Sequence, residues 1–240
     1  MLRRTPARRL LTFLLPLAVV AGFALSGVSD EYLSGIIWPE PKRVTPGEAG
    51  GPPSDAVVLF DGTNLDQWEG GDQWKIADGC AIPQHGGIHT KESFGDCQLH
   101  VEFATPERIE GSGQGRGNSG VYLMGHYEVQ VLDSFGLEGE NNECGGLYSV
   151  NAPLVNMCFP PLAWQTYDIE HQAARFDGDK KTQNARITIK HNGVTIYDHY
   201  EMPRNTPGGA EKEAPGRGPL MLQDHGNPMR FRNIWVRPLN

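Results

Sequence analysis

The sequence predicts an all-β fold, a sandwich or jelly roll of two antiparallel sheets, and three observations carry that expectation. Apolar residues recur with a period of two, as in Cys97-Gln98-Leu99-His100-Val101-Glu102-Phe103, the pattern of a half-buried strand. The pairs Asp78-Gly79 and Asn192-Gly193 stand between short alternating runs, and both positions of such a pair accept the positive φ of a type I′ hairpin turn. Helical spacing is not sustained over any stretch of about ten residues, and many short strands with turn signals between them belong to sandwiches and jelly rolls.

The expected strands follow in chain order. Val57–Phe60 is a short apolar run, and Trp74–Ala77 with Cys80–Ile82 forms a hairpin around Asp78-Gly79. Cys97–Phe103 alternates without a fault, and Val121–Met124, Tyr127–Leu132 and Tyr167–Ala173 are β-branched and aromatic runs. Arg186–Lys190 and Val194–Tyr197 flank Asn192-Gly193, and Leu220–Gln223 and Phe231–Val236 close the series. Trp68, Trp74 and Trp235 read as core. Three long connections remain, at Glu107–Gly117, Ser134–Pro161 and Met202–Pro219; the last, rich in proline, glycine and charge, is expected to be mobile.

Ahead of these strands the chain changes character. Residues 1–28 carry Arg3, Arg4, Arg8 and Arg9, then an apolar run over residues 10–28 ending in small residues. That order predicts an export signal; an uncleaved anchor tethering the protein to a membrane is the other reading, since the run is near the ~20 residues a span requires. Either places the body of the protein outside the cytoplasm, in the periplasm, secreted, or held at the membrane. Residues 29–54 are a linker, densest in proline and glycine from Trp38 to Pro53, and residues 55–240 are the folded domain. The net charge is −8, and removing the head takes four arginines and no acid, which leaves −12. Such a surface repels polyanions, so nucleic acid is not an expected partner.

Cys80, Cys97, Cys144 and Cys158 make an even count in an exported chain, so disulfides are expected. The expected pairs are Cys144–Cys158, closing a short loop, and Cys80–Cys97; a buried strand position is the other reading of Cys97.

Chemistry concentrates in Tyr127-Glu128-Val129-Gln130-Val131-Leu132-Asp133. A β-bulge at Val131-Leu132 would return Asp133 to the face of Glu128 and Gln130, giving one strand two carboxylates and an amide. Paired acids several ångströms apart are what glycosidic-bond chemistry needs. The spacing resembles the bulged acidic strand of laminarinase-type β-glucanases, with Gln130 in place of the central acid and Asp133 in place of the final one. Those departures speak against a double-displacement glucanase.

A wider likeness runs through the domain. Leu59-Phe60-Asp61-Gly62-Thr63-Asn64-Leu65-Asp66-Gln67-Trp68 opens it, followed by Gly86-Gly87-Ile88-His89-Thr90-Lys91, Asn118-Ser119-Gly120-Val121-Tyr122 and Tyr127–Asp133. Then come Cys144-Gly145-Gly146-Leu147-Tyr148, Trp164-Gln165-Thr166-Tyr167-Asp168, Leu222-Gln223-Asp224-His225-Gly226 and Arg232-Asn233-Ile234-Trp235-Val236. In this order the motifs resemble the bacterial 3-keto-disaccharide hydrolase family, also named for 3-keto-glucoside lyase and 3-keto-glucal hydratase activities. The resemblance spans Val57 to Leu239. It implies a concanavalin A-like jelly roll and a sugar substrate carrying a ketone at carbon 3.

A ketone at carbon 3 acidifies the hydrogen on carbon 2, so a general base can start a β-elimination that expels the aglycone from carbon 1. The needs are a base, an acid for the leaving group and a site for the enolate oxygen. His225, beside Asp224, is the first candidate base, and Glu128 or Asp133 the acid. Gln130, Asn118, Lys91, Gln223 and Asp224 are candidate ligands for sugar oxygens, and Trp164 a candidate stacking ring. Glu128, Asp133, Asp224 and His225 together are a candidate divalent-metal set, although no local spacing supports one. The expectation is an exported enzyme cleaving or hydrating 3-keto-glycosides. A non-catalytic, lectin-like carbohydrate-binding module is the alternative.

Overall fold

The period of two in the sequence becomes strands whose alternate side chains pack between two sheets. The computed structural model describes residues 41–48, 50–209 and 213–239. The export segment and the first part of the linker therefore lie outside the described residues. The strands are β1 (Val57–Phe60), β2 (Trp68–Glu69), β3 (Lys75–Ala77), β4 (Cys80–Ile82), β5 (Ile88–Phe94), β6 (Cys97–Ala104), β7 (Asn118–Leu123) and β8 (Tyr127–Leu132). They continue as β9 (Gln165–Gln172), β10 (Arg175–Asp177), β11 (Lys180–Gln183), β12 (Arg186–His191), β13 (Val194–Glu201), β14 (Gly218–Leu222) and β15 (Arg230–Pro238).

The large sheet runs β13-β12-β9-β6-β15-β4-β3, with β1 added against β15. The small sheet runs β2-β5-β14-β7-β8, and β10-β11 is a separate hairpin. Neighbouring strands far apart in sequence, such as β6 beside β15, make this a jelly-roll sandwich of two antiparallel sheets. On β6 the buried Leu99, Val101 and Phe103 face the core, and on β9 Tyr167, Ile169 and His171 do the same. The small sheet answers with Ile88, Phe94, Val121, Leu123, Val129 and Val131. Both Gly-containing hairpins form as expected: φ is 51° and 70° at Asp78-Gly79 and 52° and 80° at Asn192-Gly193.

Several expectations change. Trp68 and Trp74 are core, their indole N–H groups donating to Leu59 O and Gly86 O, but Trp235 lies on the outer face of the large sheet. There it stacks on His100 at 5.2 Å and donates to Gly50 O. All four cysteines are free thiols. Cys80 and Cys97 cannot pair. Cys80 adjoins Arg230 and Cys97 lies opposite Pro238 at the far end of β15, about 25 Å away along the strand. Cys144 and Cys158 do adjoin, and burial pushes the Cys144 thiol well up.

The described parts of the Met202–Pro219 connection, residues 202–209 and 213–219, are tied to the domain at several points. Met202 and Thr206 are buried, Thr206 takes the Glu128 N–H at 2.9 Å, and Glu213 accepts from Tyr127 Oη and pairs with Lys181 at 2.5 Å.

β8 is the strand that positions the site, and every residue in it is buried. Its outer edge is completed by the Cys144–Tyr148 segment: Gln130 N donates to Gly146 O, Gly145 N to Gln130 O and Tyr148 N to Glu128 O.

Candidate active site

β7 and β8 pair without a register shift, from Leu123 opposite Tyr127 to Asn118 opposite Leu132. Strict alternation then puts Glu128 and Gln130 on the outer face, across from Tyr122 and Gly120, while Val129 and Val131 enter the core. Gly120 is required there. A Cβ on it would stand 2.3 Å from Glu128 Oε1, so only glycine leaves room for that carboxyl.

Around this floor lie Gln114 from the 3-10 turn Gly113–Gly115, Tyr148 from the segment beside β8, Pro207 and Gly208, and Gln223 with His225 beyond β14. The cleft they enclose holds about 130 Å³. That is smaller than the roughly 300–1,000 Å³ of a drug-sized pocket, so it suits one ring of a ligand rather than a polymer chain.

Glu128 is 3% exposed and, among the described residues, has no cation beside it. Burial pushes its carboxyl up to about 7, against a smaller opposing effect of a hydrogen bond from Tyr122. Gln223 Nε2 donates to Tyr122 Oη at 3.1 Å, so an amide, a phenol and a carboxyl form a chain across β14, β7 and β8. Tyr122 is held far above its ordinary pKa by burial and then by the Glu128 charge, which keeps it a donor. A carboxyl poised near neutrality in a cleft is equipped to move protons.

Of the residues expected from sequence, Glu128, Gln130, Asn118, Gln223 and His225 line this cleft together. His225 stands at its exposed rim. The others fall elsewhere. Asp133 has no bulge to turn it: it follows the unbroken register to the opposite face, where it is buried and accepts from Arg116 at 3.2 Å. The expected pair of carboxylates on one face is therefore not assembled. Asp224 spends its two oxygens on Gly86 N and Gly226 N, at 2.9 and 2.8 Å, fixing the turn that carries His225. Lys91 lines a different groove, beside Asp66 and Glu69. Trp164 lies under the Arg232 guanidinium, 3.9 Å from the ring centroid, and Arg232 belongs to the large sheet. It is not a ring of this cleft. With Asp133 turned away and Asp224 engaged, the proposed metal set does not come together. Among the described residues, no group of three or more His, Cys, Asp or Glu is placed to hold an ion.

Sequence reasoning missed Tyr122, Gly120, Gln114 and Tyr148. The first two had a signal, for Asn118, Gly120 and Tyr122 follow one another at the spacing of a single strand face. Gln114 and Tyr148 come from connections, where no periodicity points.

Comparison with known proteins agrees with this architecture. Residues 55–237 match the family described as the 3-keto-alpha-glucoside-1,2-lyase-like domain. A Parabacteroides distasonis protein provisionally named a glycosyl hydrolase is 37% identical, with a TM-score of 0.79, over 94% of this chain and 100% of its own. A second protein so named from the same organism is 19% identical over 80% of this chain and 96% of its own, with a TM-score of 0.57, and supports the fold alone. A search of curated proteins gave no match.

Proposed function

The chain belongs to the 3-keto-alpha-glucoside-1,2-lyase-like family, and from that premise we propose that it is an exported enzyme that eliminates the aglycone from 3-keto-glycosides by general acid–base chemistry. One observation carries the reading: among the described residues Glu128 is a buried carboxyl without a cation beside it, pushed up to about 7, and the one carboxyl on its face of β8. Two-carboxylate hydrolysis needs a second acid beside the first. Elimination needs one group that readily changes its protonation state.

In the proposed reaction the Glu128 carboxylate removes the proton on carbon 2, and the electron pair forms the enolate with carbon 3. The enolate collapses, restoring the ketone and forming the carbon 1–carbon 2 double bond as the bond to the aglycone oxygen breaks. His225, at the solvent-facing rim, supplies the proton to that leaving oxygen. Tyr148 and Gln223 line the same cleft, and the hydroxyl of one and the second amide hydrogen of the other stabilise the enolate oxygen in this reading. Water can then add across the double bond. The lectin-like alternative loses its stacking ring, because Trp164 is covered by Arg232.

The test pairs a 3-keto-glucoside bearing a chromogenic aglycone with its unoxidised parent, both in deuterated water. Release from the keto form alone, with the original carbon 2 hydrogen lost from the sugar product and deuterium found there once water has added, is the expected result. Equal release from both, or a released sugar that keeps its original hydrogen at carbon 2, would overturn the elimination.

A further inference from the structure

Beside Glu128 lies a set of side-chain amides whose orientations are fixed one after another by the backbone. Gln114 Nε2 is 2.6 Å from Asn142 O, and a backbone carbonyl only accepts, so the nitrogen of Gln114 must face it. Gln114 Oε1 consequently faces inward. Asn118 Nδ2 donates to Gln114 O at 2.9 Å, which fixes Asn118 in the same manner and turns its Oδ1 toward β8. Gln130 then meets two acceptors, Gln114 Oε1 at 2.7 Å and Asn118 Oδ1 at 3.3 Å, and must present its Nε2 to both.

The end of this relay is one unmatched atom. Gln130 Oε1 has no hydrogen-bond partner among the described residues, although the residue is 1% exposed and lines the cleft. A buried acceptor left unpaired costs free energy, and the neighbours prevent the amide from flipping to relieve it. We infer that Gln130 Oε1 is the specificity determinant of the cleft, an acceptor that demands a hydroxyl hydrogen from the sugar, and that Gln114 is the positioning residue that sets its polarity. The inference rests on the cleft being the sugar site. It deepens that reading by stating which kind of group the sugar must bring: a donor, so the ketone oxygen is not what Gln130 meets.

Deoxy and deoxyfluoro analogues separate the possibilities, because fluorine can accept a hydrogen bond but cannot donate one. 1,5-Anhydro-3-keto-glucitol, which has no aglycone to expel, and its 2-, 4- and 6-deoxy and corresponding deoxyfluoro forms would be titrated calorimetrically against the intact protein. Equilibrium binding needs no turnover, so failure of the elimination chemistry would leave this measurement interpretable. At one of the three positions, the deoxy and fluoro forms are both expected to bind at least about 100-fold more weakly than the parent, since sites built to bond a hydroxyl reject its absence strongly. Gln114→Ala frees Gln130 to turn its N–H outward, so the fluoro form should recover about tenfold relative to the deoxy form. Fluoro analogues that bind like the parent in the unaltered protein would overturn the inference. So would the absence of such a loss at all three positions, which would mean that a trapped water serves the acceptor.

Discussion

The two outer faces of the sandwich each carry a sheltered glutamate, half-buried on one and buried on the other, and they treat it in opposite ways. On the large sheet, Glu102 accepts from Arg232 Nε at 2.6 Å and from Asn233 Nδ2 at 2.8 Å. Its neighbour His100 lies 2.6 Å from Asp168 and stacks on Trp235. Burial raises the Glu102 pKa, but the bonds from Asn233 and Arg232 outweigh it, and the net shift is downward. On the small sheet, the Tyr122 phenol is what hydrogen-bonds Glu128 among the described residues, and burial wins. A face whose charges are satisfied is architecture; a face that keeps an acid and an amide oxygen unsatisfied is prepared for something that arrives.

The sharpest way to break this comparison is Glu128→Gln. Turnover of a 3-keto-glucoside should fall by about 100- to 10,000-fold, the range for losing a general acid or base. The same variant should be more stable at high pH. A carboxyl whose folded pKa is raised from 4.5 to about 7 contributes stability below pH 4.5 that is lost as pH rises through 7. Melting curves should therefore coincide at pH 4 and separate by pH 8–9, with the variant ahead by on the order of 2–3 kcal/mol. Undiminished turnover, or curves that never separate, would put Glu128 among ordinary polar residues.

Gly120→Ala comes next. The new methyl would displace the Glu128 carboxyl, so turnover should drop about tenfold or more while the fold survives a cost of about 1–3 kcal/mol. Activity equal to the unaltered protein would mean that the carboxyl position does not matter.

On the other face, Glu102→Gln should cost about 1–3 kcal/mol at pH 7 and leave turnover unchanged. Its pH dependence runs the opposite way. A lowered pKa gives stability that is present above the unfolded value and is lost as pH falls through the folded one, so the deficit should shrink below pH 4.5. Loss of turnover at constant fold would show that the two faces are not independent. The smallest effect is expected from Trp164→Ala, which removes the contact under Arg232 at about 0.5–2 kcal/mol and should leave KM unchanged. A raised KM would return Trp164 to the sugar.

How much of this was legible beforehand follows the same division. Strands with complete alternation were read almost to the residue, β6, β8 and β12 among them. β5 was missed because Thr90 stands among its inward residues, between Ile88 and Phe94, and the β10-β11 hairpin because it has almost no apolar residues. Glu128, Gln130 and Asn118 were legible as neighbours because two-residue spacing fixes the face of a strand. Asp133 was not, since a bulge is a matter of pairing with another strand, and here the pairing with β7 runs on unbroken. The polarity of Gln130 was beyond sequence altogether: it depends on a carbonyl of Asn142, two connections away.

The strip Gly145–Tyr148 along the margin of β8 has one more consequence. A terminal strand with vacant N–H and C=O groups invites a second molecule to zip onto it, the first step toward swapped dimers and fibrils. Here the chain has already filled those vacancies with its own backbone. The filler depends on small residues, for a Cβ on Gly146 would stand 2.7 Å from Asn141 O. The reactive carboxyl thus stands on a margin shielded from self-association, and a bulky residue at position 146 would trade that solubility for stickiness before it touched any chemistry.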